Sequence, residues 1–186
     1  MLYQSRSAQA EVAYRDAISL NPSHDRAYVA LGDALASQLR ITEAEDSYRH
    51  AIRLNPGDAA AHYGLANVLR SQRRFPNAEA AYREALSCSP ASVIIRRRLG
   101  NVLCAQKRFA EAEVVYREAI HFDPSQAAIY NDPGIVLCYL QQYTEAEKAY
   151  REAVRLDSGY KEARDNLKAV RKRKRGTVFS TGYTIR

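Results

Sequence analysis

The sequence predicts an all-α solenoid built from stacked antiparallel helix pairs, and three observations predict it. The first is an internal period. Pro22, Pro56, Pro90 and Pro124 stand 34 residues apart, with Ser158 in the next slot. Tyr14, Tyr48, Tyr82, Tyr116 and Tyr150 repeat at the same interval, as do Ala10, Ala44, Ala78, Ala112 and Ala146. A fixed period of this length is the mark of a repeat array. The second observation is that apolar residues in each period fall at helical spacing in two runs, such as 25–38 and 42–55. The third is composition: 8 Gly and 6 Pro in 186 residues leave little material for many tight turns, and 46% apolar residues supply a continuous core.

Taken in order, residues 1–24 enter the period late. The phase puts Met1 at unit position 11, and Gln4 then matches Gln38, Gln72 and Gln106. This first unit lacks most of its first helix and keeps the second, about residues 7–20. Two readings of its raw face stay open: further repeats upstream, or docking on a second copy as a homodimer. Full units follow at 25–58, 59–92, 93–126 and 127–159. Thr42 with Glu45, and Thr144 with Glu147, have capping-box spacing and predict second-helix starts. Pro76 suits a helix start, where its missing N–H costs little. The proline ending each unit stops one helix and sets the turn into the next. Pro133 falls midway along a first helix, so either a kink or a late start capped by Asp132 is expected, with an irregular, weaker joint between units 93–126 and 127–159. Residues 160–175 keep first-helix phase through Ala163, Leu167 and Val170, amid many charges, and read as a capping helix. The tail 176–186 is expected to be disordered.

The pair at unit positions 7 and 8 reads Leu31-Gly32, Leu65-Ala66, Leu99-Gly100 and Pro133-Gly134. With the Ala, Tyr, Ala and Pro series, this pattern over residues 1–170 resembles the tetratricopeptide repeat. The bulky residue typical of position 4 is Tyr28, His62, Arg96 and Tyr130, so two copies depart from it. The resemblance implies a right-handed superhelix whose first helices line a concave groove. It also implies a non-enzymatic protein–protein interaction scaffold.

By that resemblance the groove residues include Arg26, Asp33, Tyr63, Asn67, Arg70, Arg97, Arg98, Asn101, Asn131 and Tyr139. Asn67 and Asn101 share a unit position, and an amide offers a donor and an acceptor to an extended backbone. Arg70, Arg97 and Arg98 carry forked donors suited to carboxylates, which favours an extended peptide of acidic character. Packing at the repeat junction is the competing reading for the two asparagines, and plain solvation for the arginines. The repeated Glu–Arg pairs four apart, such as Glu79 with Arg83, read as a solvated outer face.

Net charge is +7, but residues 171–186 hold six Lys/Arg and no acid, so the first 170 residues net only +1. The run Arg171, Lys172, Arg173, Lys174 and Arg175 reads either as a solvated helix end favoured by the helix dipole or as a nucleic-acid or acidic-lipid patch. Cys88, Cys104 and Cys138 form no CxxC and suit reduced thiols, so a cytoplasmic location and no metal or cofactor are expected. No stretch approaches a membrane span. No glycine-rich phosphate loop, nucleophile elbow or HExxH occurs, so no enzyme is predicted. Two alternatives stay open: a targeting module of a larger enzyme such as a glycosyltransferase, and a nucleic-acid adaptor using the basic end.

Overall fold

The computed structural model describes residues 2–174, with side chains from Ser7 onward. The tail 176–186 and Arg175 of the basic run lie outside the described residues. Ten helices and no strand occur among the described residues. The chain divides into two compact units, Met1–Pro90 and Ala91–Arg186. The first holds α1 (Leu2–Leu20), α2 (Asp25–Ser37), α3 (Ile41–Leu54), α4 (Ala59–Ser71) and α5 (Phe75–Cys88). The second holds α6 (Val93–Ala105), α7 (Phe109–Phe122), α8 (Ala128–Tyr139), α9 (Tyr143–Leu156) and α10 (Lys161–Lys174).

In the first unit each helix packs on its sequence neighbour, and α2 also touches α4. The tyrosine of each second helix makes this possible. Tyr48 is 2% exposed, and a Cβ on Gly32 would lie only 2.7 Å from its ring. A Cβ on Gly64 of the following repeat would press on the same ring. Tyr48 is thus wedged between two first helices that only glycines bring close enough. In the second unit Tyr116 lies against Gly100 and Tyr150 against Gly134 in the same way.

The short turns inside the repeats use a device the residues do not announce. Leu39, Arg73, Lys107 and Gln141 all adopt φ near +60°, between 59° and 61°. The N–H of Leu39 donates to the Ala36 carbonyl (3.0 Å) and that of Arg40 to the Leu35 carbonyl (3.0 Å), which closes a Schellman motif. The other three turns repeat the pair of bonds. None of the four carries the glycine usual at this left-handed position.

Three expectations need correction. The capping boxes do not form: α3 and α9 start at Ile41 and Tyr143 behind Arg40 and Gln142, with no side-chain cap. Glu45 and Glu147 are instead drawn into ion pairs. The first unit's helix is not a separate segment from about residue 7, because α1 runs unbroken from Leu2. Finally, α8 runs from Ala128 through Pro133 and contacts both α6 and α7, so the late start at Asp132 does not occur. The start of α8 is a tighter turn. There Ile129 N–H bonds the Gln126 carbonyl and Tyr130 N–H the Ala127 carbonyl, both at 3.2 Å, as a tighter first turn.

Candidate functional site

On α2 and α4 of the first unit, the groove candidates divide into engaged and open side chains. Asp33 accepts the Tyr48 hydroxyl at 2.6 Å, and Asn67 accepts the Tyr82 hydroxyl at 2.7 Å. Burial, together with the Asp33 carboxylate, pushes the Tyr48 phenol far above its ordinary range, so it stays a donor. The shared unit position of Asn67 and Asn101 therefore reflects anchoring of the buried tyrosine. Tyr63 is half-buried, tilted against Tyr82 with centroids 6.0 Å apart. Arg26 is exposed. Arg70 is half-buried, pairs with no acid, and has an Nε shut from water without an acceptor.

On α6, α8 and α10 of the second unit, Arg97 Nε reaches Asp132 Oδ2 at 2.7 Å. Burial opposes the Arg97 charge, but the Asp132 carboxylate outweighs it and holds the pKa above its ordinary value. Asn101 turns its amide nitrogen to the Tyr116 hydroxyl, to Asp132 Oδ2 (3.2 Å) and to the Arg97 carbonyl (3.2 Å). This is the orientation that leaves no acceptor facing an acceptor. Arg98 is half-buried. Asn131 is corrected as a groove residue: it is 0% exposed and accepts the Asn166 amide at 3.0 Å. Tyr160, close by, is pushed up to about 12 by burial and by the Glu162 and Asp132 carboxylates. Tyr139 is 41% exposed and stacks on Phe109 with centroids 5.0 Å apart.

Cys104 and Cys138 are buried beside the Tyr116 and Tyr150 hydroxyls. Burial pushes the Cys104 thiol up to about 11, so it is protonated at neutral pH and packs as a small apolar group. No group of three potential metal ligands occurs among the described residues.

In the Glu–Arg pairs the arginines are solvated, but the Glu45, Glu79 and Glu147 carboxylates are buried. Glu45 is 9% exposed and binds Arg49 of its own helix and Arg74 of the next repeat, both at 2.8 Å. Glu11 does the same with Arg15 (3.0 Å) and Arg40 (2.6 Å). These carboxylates tie one repeat to the next. The signal was present in the sequence as the arginine recurring at 40, 74 and 108, one residue before α3, α5 and α7.

The same logic absorbs most of the basic run. Glu147 binds Arg151 (2.7 Å), Lys174 (2.8 Å) and Arg171 (3.1 Å), while Arg173 lies 5.8 Å from the Tyr143 ring centroid. Lys172 is exposed. Lys174 and Arg171 hold the Glu147 carboxyl down to about 2, well below its unfolded value near ~4.3. Its contribution to stability is therefore complete above the unfolded value and is lost as pH falls toward 2. Urea denaturation should find Glu147→Gln less stable at neutral pH, with the gap to the parent chain closing as pH is lowered. A gap that stays constant with pH would show that the carboxylate is not what holds α10.

A repeating set of tyrosines wedged between paired helices defines a helical repeat solenoid. A tetratricopeptide repeat model matches residues 2–59, 37–93 and 63–127, and a second such model matches 126–156. The chain belongs to the tetratricopeptide repeat family. Among solved structures it is similar to YrrB, described as a TPR protein with an unusual peptide-binding site (20% identity, 88% of this chain, 84% of that chain, TM-score 0.75). It is also similar to PilF of Pseudomonas aeruginosa (21%, 95% and 88%, TM-score 0.75). A third is the first TPR of Spaghetti (RPAP3), bound to the HSP90 peptide SRMEEVD (21%, 63% and 93%, TM-score 0.61). At these identities the likeness is one of fold. No curated protein matches. No described helix is long and apolar enough to cross a membrane.

Proposed function

We propose that the chain is a non-enzymatic scaffold whose first-helix surface in the first unit holds an extended peptide of acidic character. The observation that carries this reading is Arg70: a guanidinium held half-buried, with no acid beside it and an unsatisfied Nε. An uncompensated charge is costly away from water, so a ligand acceptor belongs there. Tyr63, about two turns back on the same helix, adds a rigid face with little entropy to lose. The peptide-bound Spaghetti repeat and YrrB support the same class of partner. Three cysteines without a disulfide agree with a reducing, cytoplasmic setting.

Fluorescence anisotropy with labelled SRMEEVD as the acidic probe tests the site. Arg70→Ala and Tyr63→Ala should each weaken binding about tenfold or more, the scale of losing one ~1.4 kcal/mol contact, with unchanged circular dichroism. Binding that ignores both changes would remove the peptide from this surface. A second reading, self-association, rests on α1. Val12 and Leu20 are 60% and 87% exposed there, and Tyr14 is only half-buried where its four counterparts are within 2%. Light scattering at rising concentration tests that surface.

A further inference from the structure

The donor set on α6 of the second unit already holds a carboxylate, and that carboxylate is out of pattern. Asp132 stands at unit position 6, where the other full repeats carry Ala30, Gly64 and Arg98. Nothing in the repeat packing requires an acid there. Two donors converge on it: Arg97 Nε at 2.7 Å and the Asn101 amide at 3.2 Å. Asn101 also meets the Tyr116 hydroxyl, itself 1% exposed, and its amide nitrogen faces this side because Asp132 Oδ2 and the Arg97 carbonyl are both acceptors.

Both donors meet the same oxygen, Oδ2. The fork of the guanidinium is therefore not filled in the two-point manner that makes arginine–carboxylate pairs strong. Arg97 keeps 30% of its side chain exposed and Asp132 keeps 11%. The pair lies at the edge of water, within reach of a group arriving from solution. An untethered carboxylate can approach along the fork and engage two N–H groups where Asp132, fixed to α8, engages one.

We infer that Arg97 and Asn101 form a carboxylate site that Asp132 occupies as a resident competitor, and that an acidic peptide engages the second unit by displacing it. The inference extends the peptide-scaffold reading above to a second surface, and makes Asp132 the residue that sets how strongly acidic partners are admitted. A site open only a fraction of the time weakens the apparent affinity by that fraction. An occupancy of about nine-tenths would correspond to acidic ligands binding about tenfold more tightly once the Asp132 charge is removed.

Two measurements on the full chain separate this site from the peptide reading. In the first, sodium acetate replaces sodium chloride at equal ionic strength during thermal melts. Acetate should raise the melting midpoint of Asp132→Ala, but not of the parent chain or of the Arg97→Leu/Asp132→Ala double variant. In the second, Asp132→Asn, which keeps size and helix, should bind labelled SRMEEVD about tenfold more tightly than the parent. Arg97→Leu added to it should abolish the gain. Acetate acting alike on all three chains overturns the site. Acetate rescue of Asp132→Ala without any peptide binding upholds the carboxylate site and sinks the peptide reading. Equal peptide binding by the parent and Asp132→Asn, without acetate rescue, leaves the peptide reading and removes Asp132 as its competitor.

Discussion

Tyr48→Ala is expected to cost the first unit about 3–5 kcal/mol, the range for emptying a large aromatic from a packed core. The ring touches two repeats at once, near Gly32 of its own and Gly64 of the next, and both glycines leave no side chain to collapse into the space. The loss therefore falls on the interface as well as on the repeat. In a solenoid, stability is roughly a sum of repeat and interface contributions, and here one side chain carries part of both. Tyr48→Phe isolates the hydroxyl: the bond to Asp33 is worth about 1 kcal/mol, so this variant should lose far less. Asp33 itself is exposed and can turn to water when the hydroxyl is gone. Urea denaturation followed by helicity measures both. A Tyr48→Phe loss as large as that of Tyr48→Ala would mean that the hydrogen bond, not the wedge, holds the repeats together.

The contrast between what could and could not be read beforehand follows the same division. The wedge is written plainly in residue types, because only glycine or alanine permits the approach and only a large ring fills it. Helix ends marked by Pro22, Pro56, Pro90 and Pro124 were legible for a similar reason. The turns at Leu39, Arg73, Lys107 and Gln141 were not, because their left-handed residue is set by two backbone hydrogen bonds and carries four unrelated side chains. Charges misled in both directions. Glu45 and Glu147 look like surface acids in a helix-by-helix reading, but each meets cations from the neighbouring repeat, a relation visible only across 24 to 29 residues of chain. Arg97 and Asn101 read as free donors until Asp132 of the following repeat is placed between them. Pairing across repeats depends on which face each helix turns to its neighbour, and local periodicity does not specify that.

Pro133→Leu is expected to stabilise the second unit by about 2 kcal/mol. A proline inside a helix removes one backbone bond and crowds the carbonyl four residues back, at a cost of about 3 kcal/mol. Here that carbonyl belongs to Ile129, which is fully buried and has no water to turn to. The helix starts at the second unit position, one residue later than α2, α4 and α6. Leucine fits the vacated role, because Leu31, Leu65 and Leu99 fill the matching slot at 5%, 6% and 2% exposure. Part of the gain is returned, since losing proline frees the unfolded chain by about 0.4–1 kcal/mol. Amide hydrogen exchange locates the effect: protection should rise along α8, where leucine restores an N–H facing the Ile129 carbonyl. A lowered melting midpoint in Pro133→Leu would show instead that the ring is a packed part of the core rather than a tolerated defect.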